Sequence, residues 1–127
     1  MIKIFKEAGV RVSIFVDPDI KMVEGAAATG TDRIELYTES YAKQFAPDRC
    51  QDGIKHLAIV PYITAAAKAK ELDFGINAGH DIDLHNLKYF RQNIPWLDEV
   101  SIGHALICDA IYLGFENAVQ LYKRQLM

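Results

Sequence analysis

The sequence predicts an α/β fold of about four consecutive strand–helix units around a parallel sheet. Four short runs rich in apolar and β-branched residues recur along the chain, each followed by a segment of helix formers. Alternation of this kind implies parallel strands joined by crossover helices. The chain has 127 residues, half of them apolar and 24% charged, which suits one globular domain with a sizeable core.

The first strand is read at 11–16 (RVSIFV) and is ended by Asp17-Pro18. A helix follows at 18–29, with Asp17 as N-cap, Pro18 in the first turn and Gly30 as C-terminal cap. The second strand is read at 32–36 (DRIEL). The polar segment 37–52, which contains Pro47, reads as a long loop holding one helical turn, and loops of this length are usually functional. Residues 53–71 form an Ala- and Lys-rich helix. Pro61 falls inside it, which predicts a kink or two helices meeting there. The third strand is read at 73–77 (DFGIN), a short helix at 83–92, and the fourth strand at 98–102 (DEVSI). Residues 104–126 are helical with a break at Gly114. The spacing suits either a doubly wound open sheet or part of a barrel.

Composition removes several function classes. A net charge of −3, a pI near 5.7 and basic residues spread along the chain argue against nucleic acid or an anionic membrane as partner. The opening MIKIFKEAGV has no signal-peptide apolar core, and no apolar run is long enough to span a bilayer, so a cytoplasmic location is expected. Cys50 and Cys108 are far apart and fit no metal spacing. They read as two buried or free thiols of a cytosolic protein, although sequence does not exclude a disulfide between them.

Ligands of parallel α/β folds bind at the C-terminal ends of the strands. The residues there are Asp17; Glu35; Asn77, Ala78, Gly79 and His80; and Gly103 with His104. After the third strand, Gly79 lets the backbone approach a ligand closely and take a positive φ, and His80 is able to act as acid or base near neutral pH. A histidine that only fills a loop is the plainer alternative. After the fourth strand, Ser101-Ile102-Gly103-His104 leads straight into a helix, whose free N–H groups and dipole favour an anion. In a barrel, Gly79 and Gly103 would face one phosphate, with 104–112 as the short extra helix of such sites. The alternative is an ordinary capped turn. Arg33 and Glu35 share one strand face, so either they form an ion pair or Glu35 points into the ligand site. His56 and His85 are expected on exposed helix surfaces. Tyr37, Thr38 and Tyr41 read either as part of a lid or as loop packing.

Four runs taken together carry a family resemblance: Val12-Ser13-Ile14-Phe15-Val16-Asp17, Ile34-Glu35-Leu36-Tyr37-Thr38, Ile76-Asn77-Ala78-Gly79-His80, and Ser101-Ile102-Gly103-His104-Ala105-Leu106-Ile107. In order and approximate spacing they resemble pyridoxine 5′-phosphate synthases over nearly the whole chain. The resemblance implies a (β/α)₈ TIM barrel, of which this chain supplies a half-barrel of about four βα units, strands five to eight. It implies a transferase of vitamin B6 biosynthesis that condenses 1-deoxy-D-xylulose 5-phosphate with 3-amino-2-oxopropyl phosphate and needs no metal or organic cofactor. By that resemblance His80 is the proton donor, Glu35 stabilises the transition state, and Asp81, Gly103 and His104 hold the phosphate-bearing substrate. Many members carry glycine where this chain has Asp81, so only the backbone N–H of Asp81 is expected to contribute there. The family's proton acceptors belong to the other half of the barrel. The implied partners are phosphorylated small molecules and either further copies of the chain or the missing half. A non-catalytic phosphate-binding half-barrel that assembles with another half is the competing reading.

Overall fold

The computed structural model describes residues 1–45 and 52–127. In chain order the elements are α1 (Ile2–Glu7), β1 (Ser13–Val16), α2 (Ile20–Thr29), β2 (Arg33–Leu36), α3 (Glu39–Gln44), α4 (Asp52–Glu71), β3 (Gly75–Gly79), α5 (Leu87–Asn93), β4 (Glu99–Ser101), α6 (His104–Leu113) and α7 (Phe115–Gln125). The four strands form one parallel sheet in the order β1-β2-β3-β4. A doubly wound sheet reverses its strand order at a switch point. No reversal occurs among these four strands, so that alternative falls away.

Strand alternation separates a core face from a bare one. Val16, Ile34, Leu36, Ile76 and Ala78 are buried on one face, with Ile14 packed beside them. Against them lie Val23 and Ala26 of α2, Phe90 of α5, and a stripe along α4 made of Ala58, Ile59, Tyr62, Ala65, Ala66 and Ala69. That stripe recurs every three to four residues, as one side of a helix must. Burying each large side chain contributes about 1.5–3 kcal/mol. The other face carries Ser13, Phe15, Arg33, Glu35, Asn77, Glu99 and Ser101, with Phe15↔Glu35, Glu35↔Asn77 and Asn77↔Glu99 in register. Phe15 and Ser101 are exposed there.

Several boundaries differ from the sequence reading, each for a local hydrogen-bonding reason. The N-cap of α2 is Asp19, not Asp17: its carboxylate accepts from the N–H groups of Lys21 (2.8 Å) and Met22 (3.2 Å), leaving Pro18 outside the helix. Gly30 caps the C-terminus in the left-handed conformation, as expected. The third strand starts at Gly75 rather than 73 because α4 ends in a Schellman motif. Asp73 takes φ 61°, its N–H reaches the Lys70 carbonyl, and the Phe74 N–H reaches Ala69. Helix α5 starts at Leu87 rather than 83 because Asp83 and Asn86 cap each other. The Asp83 carboxylate accepts from the N–H groups of His85 and Asn86, and Asn86 Oδ1 accepts from the Asp83 N–H.

Helix α4 is one element with Pro61 inside it, so of the two expected outcomes, a kink or two helices, the second falls away. Proline cannot donate to the carbonyl of Leu57, and that residue is exposed to water, which can serve the carbonyl instead. The segment after the second strand holds a helix, α3; Pro47 and Cys50 lie outside the described residues, and Cys108 is a free, exposed thiol. The break at Gly114 separates α6 from α7 at φ 81°. Tyr122 of α7 donates to Asp109 of α6 at 2.8 Å and closes that corner. No described helix is long and apolar enough to cross a membrane.

Candidate active site

The register of the sheet brings the chemistry together at the C-terminal ends of the strands. Glu35 (β2), Ser101 (β4), His80 just beyond β3, and Ile102, Gly103 and His104 at the start of α6 line one cleft of about 480 Å³. Four residues marked by the sequence, Glu35, His80, Gly103 and His104, therefore share a site. Ser101 joins them, although its place in the strand-end motif pointed to no role. The signal that could have found it is the period-two alternation of β4, which puts Glu99 and Ser101 on the bare face.

Glu35 is half-buried, and burial pushes its carboxyl above the usual carboxylate range. The Ser101 hydroxyl, donating to Glu35 Oε2 at 3.4 Å, and the nearby His80 pull it back, while Glu99 adds repulsion. Arg33 turns elsewhere. Its guanidinium lies 3.1 Å from Asn77 Oδ1, 3.6 Å from Asp98 and 3.9 Å from Glu99. Of the two readings of Glu35, the structure thus favours the one facing the cleft over the ion pair with Arg33.

His80 follows β3 directly, in a left-handed conformation at φ 55°. For a non-glycine residue this costs on the order of 1 kcal/mol or more, and such strain collects at functional sites. Two bonds hold it: its N–H donates to the Ser101 carbonyl at 3.0 Å, and ring Nδ1 lies 3.0 Å from Asp81 Oδ2. The Tyr37 ring stands 6.3 Å away, with Phe15 5.7 Å beyond it.

One glycine expectation needs correction. Gly79 does not adopt a positive φ, and its backbone lies close against that of β4. A Cβ there would stand 2.8 Å from the Ser101 carbonyl carbon and closer still to its oxygen, so glycine is required for β3 to lie against β4. Gly103 has φ −105° and open space where a Cβ would go, so its conformation does not demand glycine. What Gly103 does is leave the N-terminus of α6 without a side-chain cap, exposing the first helical N–H groups beside His104. Asp81 does not line the cleft; its carboxylate is turned to His80.

The residues after β2 are mostly packing. Tyr41 is fully buried and donates to the Asn86 carbonyl at 2.7 Å, and Thr38 is buried and donates to the Gly79 carbonyl. Neither is free to act as a lid. Tyr37 is half-buried and donates to Glu39 at 2.8 Å. Tyr62 underlies them, its hydroxyl donating to the Tyr37 carbonyl at 2.9 Å, and burial pushes its pKa up to about 12. His56 and His85 are exposed as expected, although His85 sits in the turn before α5 rather than in the helix.

A second cleft of about 480 Å³ lies at the opposite end of the strands, lined by Lys6, Gly9, Val10, Arg11, Asp32, Arg33 and Gly75. Its cations are already engaged. Lys6 pairs with Asp32 at 2.8 Å and Arg11 grips Glu99 through two 2.9 Å bonds, which hold the Glu99 carboxyl below its usual range. Among the described residues, no three His, Cys, Asp or Glu side chains converge as a metal site would.

A family model described as "Pyridoxal phosphate biosynthesis protein PdxJ" matches residues 1–127. Curated relatives named pyridoxine 5′-phosphate synthase include those of Cytophaga hutchinsonii, 63% identical over 122 residues, and Parabacteroides distasonis, 54% identical over 123 residues. A third, from Flavobacterium johnsoniae, is 55% identical over 126 residues. These alignments cover 96%, 97% and 99% of this chain but 49%, 49% and 51% of the relatives. The chain spans about half the length of the curated relatives it matches.

Proposed function

The chain belongs to the pyridoxal phosphate biosynthesis PdxJ family, and on that premise we propose that it is the proton-donating, phosphate-holding half of a pyridoxine 5′-phosphate synthase. In this reading it supplies strands five to eight of a (β/α)₈ barrel. The substrates are 1-deoxy-D-xylulose 5-phosphate and 3-amino-2-oxopropyl phosphate. The observation that carries the reading is the single cleft in which Glu35, His80 and the uncapped start of α6 meet.

The roles follow from placement. The exposed N–H groups of α6, with His104, hold a phosphate at the positive end of the helix. His80 gives a proton to the departing oxygen. Glu35, across the cleft and half-withdrawn from water, stabilises positive charge that develops during ring closure. The proton acceptors come from the half of the relatives that this chain does not span. The edges of β1 and β4 and the bare polar face of the sheet are where that half joins, since open edges invite strand pairing. Exposed Ile107, Ile111, Tyr112 and Phe115 on and after α6 support further association into an oligomer.

The test is product formation from the two substrates by this chain alone and after addition of a separately made other half. Turnover only in the mixture is expected. An assembled mixture that binds inorganic phosphate but never turns over would favour the non-catalytic half-barrel. Turnover by the chain alone would refute the assignment of the proton acceptors to the other half.

A further inference from the structure

The other carboxylates near the cleft have clear engagements. Glu35 accepts from Ser101, Glu39 from Tyr37 and Lys43, and Glu99 from Arg11 and Asn77. Asp81 is different: its carboxylate meets the ring of the adjacent residue, His80. Neighbouring side chains on an extended strand point to opposite faces. The left-handed turn at His80 breaks that alternation and sets consecutive side chains together. The Asp81 backbone is held as well, since its carbonyl accepts from Nδ2 of the buried Asn86 at 3.4 Å.

We propose that Asp81 is a positioning residue, which accepts a hydrogen bond from His80 Nδ1 and thereby fixes the tautomer that leaves Nε2 as the proton-transferring nitrogen. The inference rests on the acid role of His80 proposed above. The two ring nitrogens of histidine are distinct, and the bond made by one sets the state of the other. The His80 side chain is 66% exposed, so without an anchor its ring would rotate freely at the mouth of the cleft. Glu35 of β2, Glu39 of α3 and His104 of α6 also lie near this ring, with Tyr37 beside it, but the ring's hydrogen bond is accepted by Asp81.

The proton count is consistent. The Nε2–H bond breaks, an O–H bond forms on the leaving oxygen, and the electron pair stays on Nε2. The neutral ring then holds its remaining proton on Nδ1, the form that Asp81 favours. The contact also takes a carboxylate away from the wall of a cleft proposed to hold phosphate.

Nitrogen-15 NMR of this chain, labelled at histidine, reads the His80 tautomer directly at a pH where the ring is neutral. The expected spectrum shows the Nδ1–H form in the parent chain. Asp81→Asn keeps that form, because its side-chain carbonyl still accepts, and Asp81→Ala moves the ring toward the Nε2–H form. In the reassembled enzyme Asp81→Ala lowers kcat roughly tenfold or more with KM little changed. A parent His80 in the Nε2–H form, or one unchanged by Asp81→Ala, would overturn the proposal. Retained turnover in His80→Asn would strike the acid role instead, and with it the catalytic consequence of the contact but not the contact itself.

Discussion

Replacing Gly79 by alanine is the sharpest test of how the sheet shapes the site. A Cβ at this position meets the Ser101 carbonyl group on β4, 2.8 Å from its carbon and 3.0 Å from the Ser101 Cα. These are backbone atoms of a neighbouring strand and cannot rotate away. Relief requires β4 to move, yet β4 is held to β3 through only three paired positions, Asn77↔Glu99, Ala78↔Val100 and Gly79↔Ser101. Overpacking costs about 1–3 kcal/mol, and obstruction by backbone places this case at the upper end. Displacing Ser101 also strains the bond from the His80 N–H, worth about 1 kcal/mol. The expected loss is roughly 3–4 kcal/mol, a large part of the 5–15 kcal/mol typical of a domain. Urea unfolding followed by circular dichroism measures it, with a second probe to check two-state behaviour. Gly25→Ala is the control of opposite sign: it lies exposed within α2, with nothing within 4 Å of where the added methyl would stand, and should gain about 0.5–1 kcal/mol. A Gly79→Ala chain within about 1 kcal/mol of the parent would refute the claim that β3 and β4 are locked by this contact.

Three further outcomes are expected. Glu35→Gln should make the fold more stable at pH 7 but not at pH 4. Burial raises the Glu35 pKa in the folded chain, so the native state binds more protons than the unfolded one, and stability falls as pH rises from the unfolded pKa through the folded one. Urea midpoints for both chains at the two pH values decide this, and an equal difference at both would contradict it. Asp19→Ala should cost about 1 kcal/mol through loss of the α2 cap, whereas Asp17→Ala should leave helix stability unchanged; thermal unfolding of the pair compares them. Asp73→Gly should gain about 0.5–1 kcal/mol by relieving the left-handed conformation after α4, read as a higher urea midpoint at constant slope.

Much of the site is legible in the sequence. Strand-end positions are where parallel sheets place their ligands, so the strand–helix rhythm marks eight residues, of which Glu35, His80, Gly103 and His104 line one cleft and Asp17, Asn77, Ala78 and Gly79 do not. The departures arise where a short-range rule meets a longer-range contact. Gly79 carries the signature of a flexible turn, but its need for glycine comes from a strand reached only through the sheet, and the left-handed turn falls on His80 instead. Thr38 and Tyr41 look like polar loop residues; their hydroxyls are consumed by the Gly79 and Asn86 carbonyls, partners 41 and 45 residues away. For Asp81 only a backbone contribution is expected, and the contact of its carboxylate with the adjacent histidine ring depends on the left-handed turn at His80.

The alternation of four strands with helices, the cap at Gly30, the break at Gly114 and the family are all readable in the linear chain, because each is written in local pattern: period, capping residue, glycine and motif. Three outcomes needed the folded sheet. They are the sequential strand order, the choice of core face, and the pairing of Arg33 with Asp98 and Glu99 rather than Glu35. Those outcomes depend on register between strands that lie about twenty residues or more apart. A side chain's periodicity says which neighbours it shares a face with, and only the assembled sheet says which charges lie opposite.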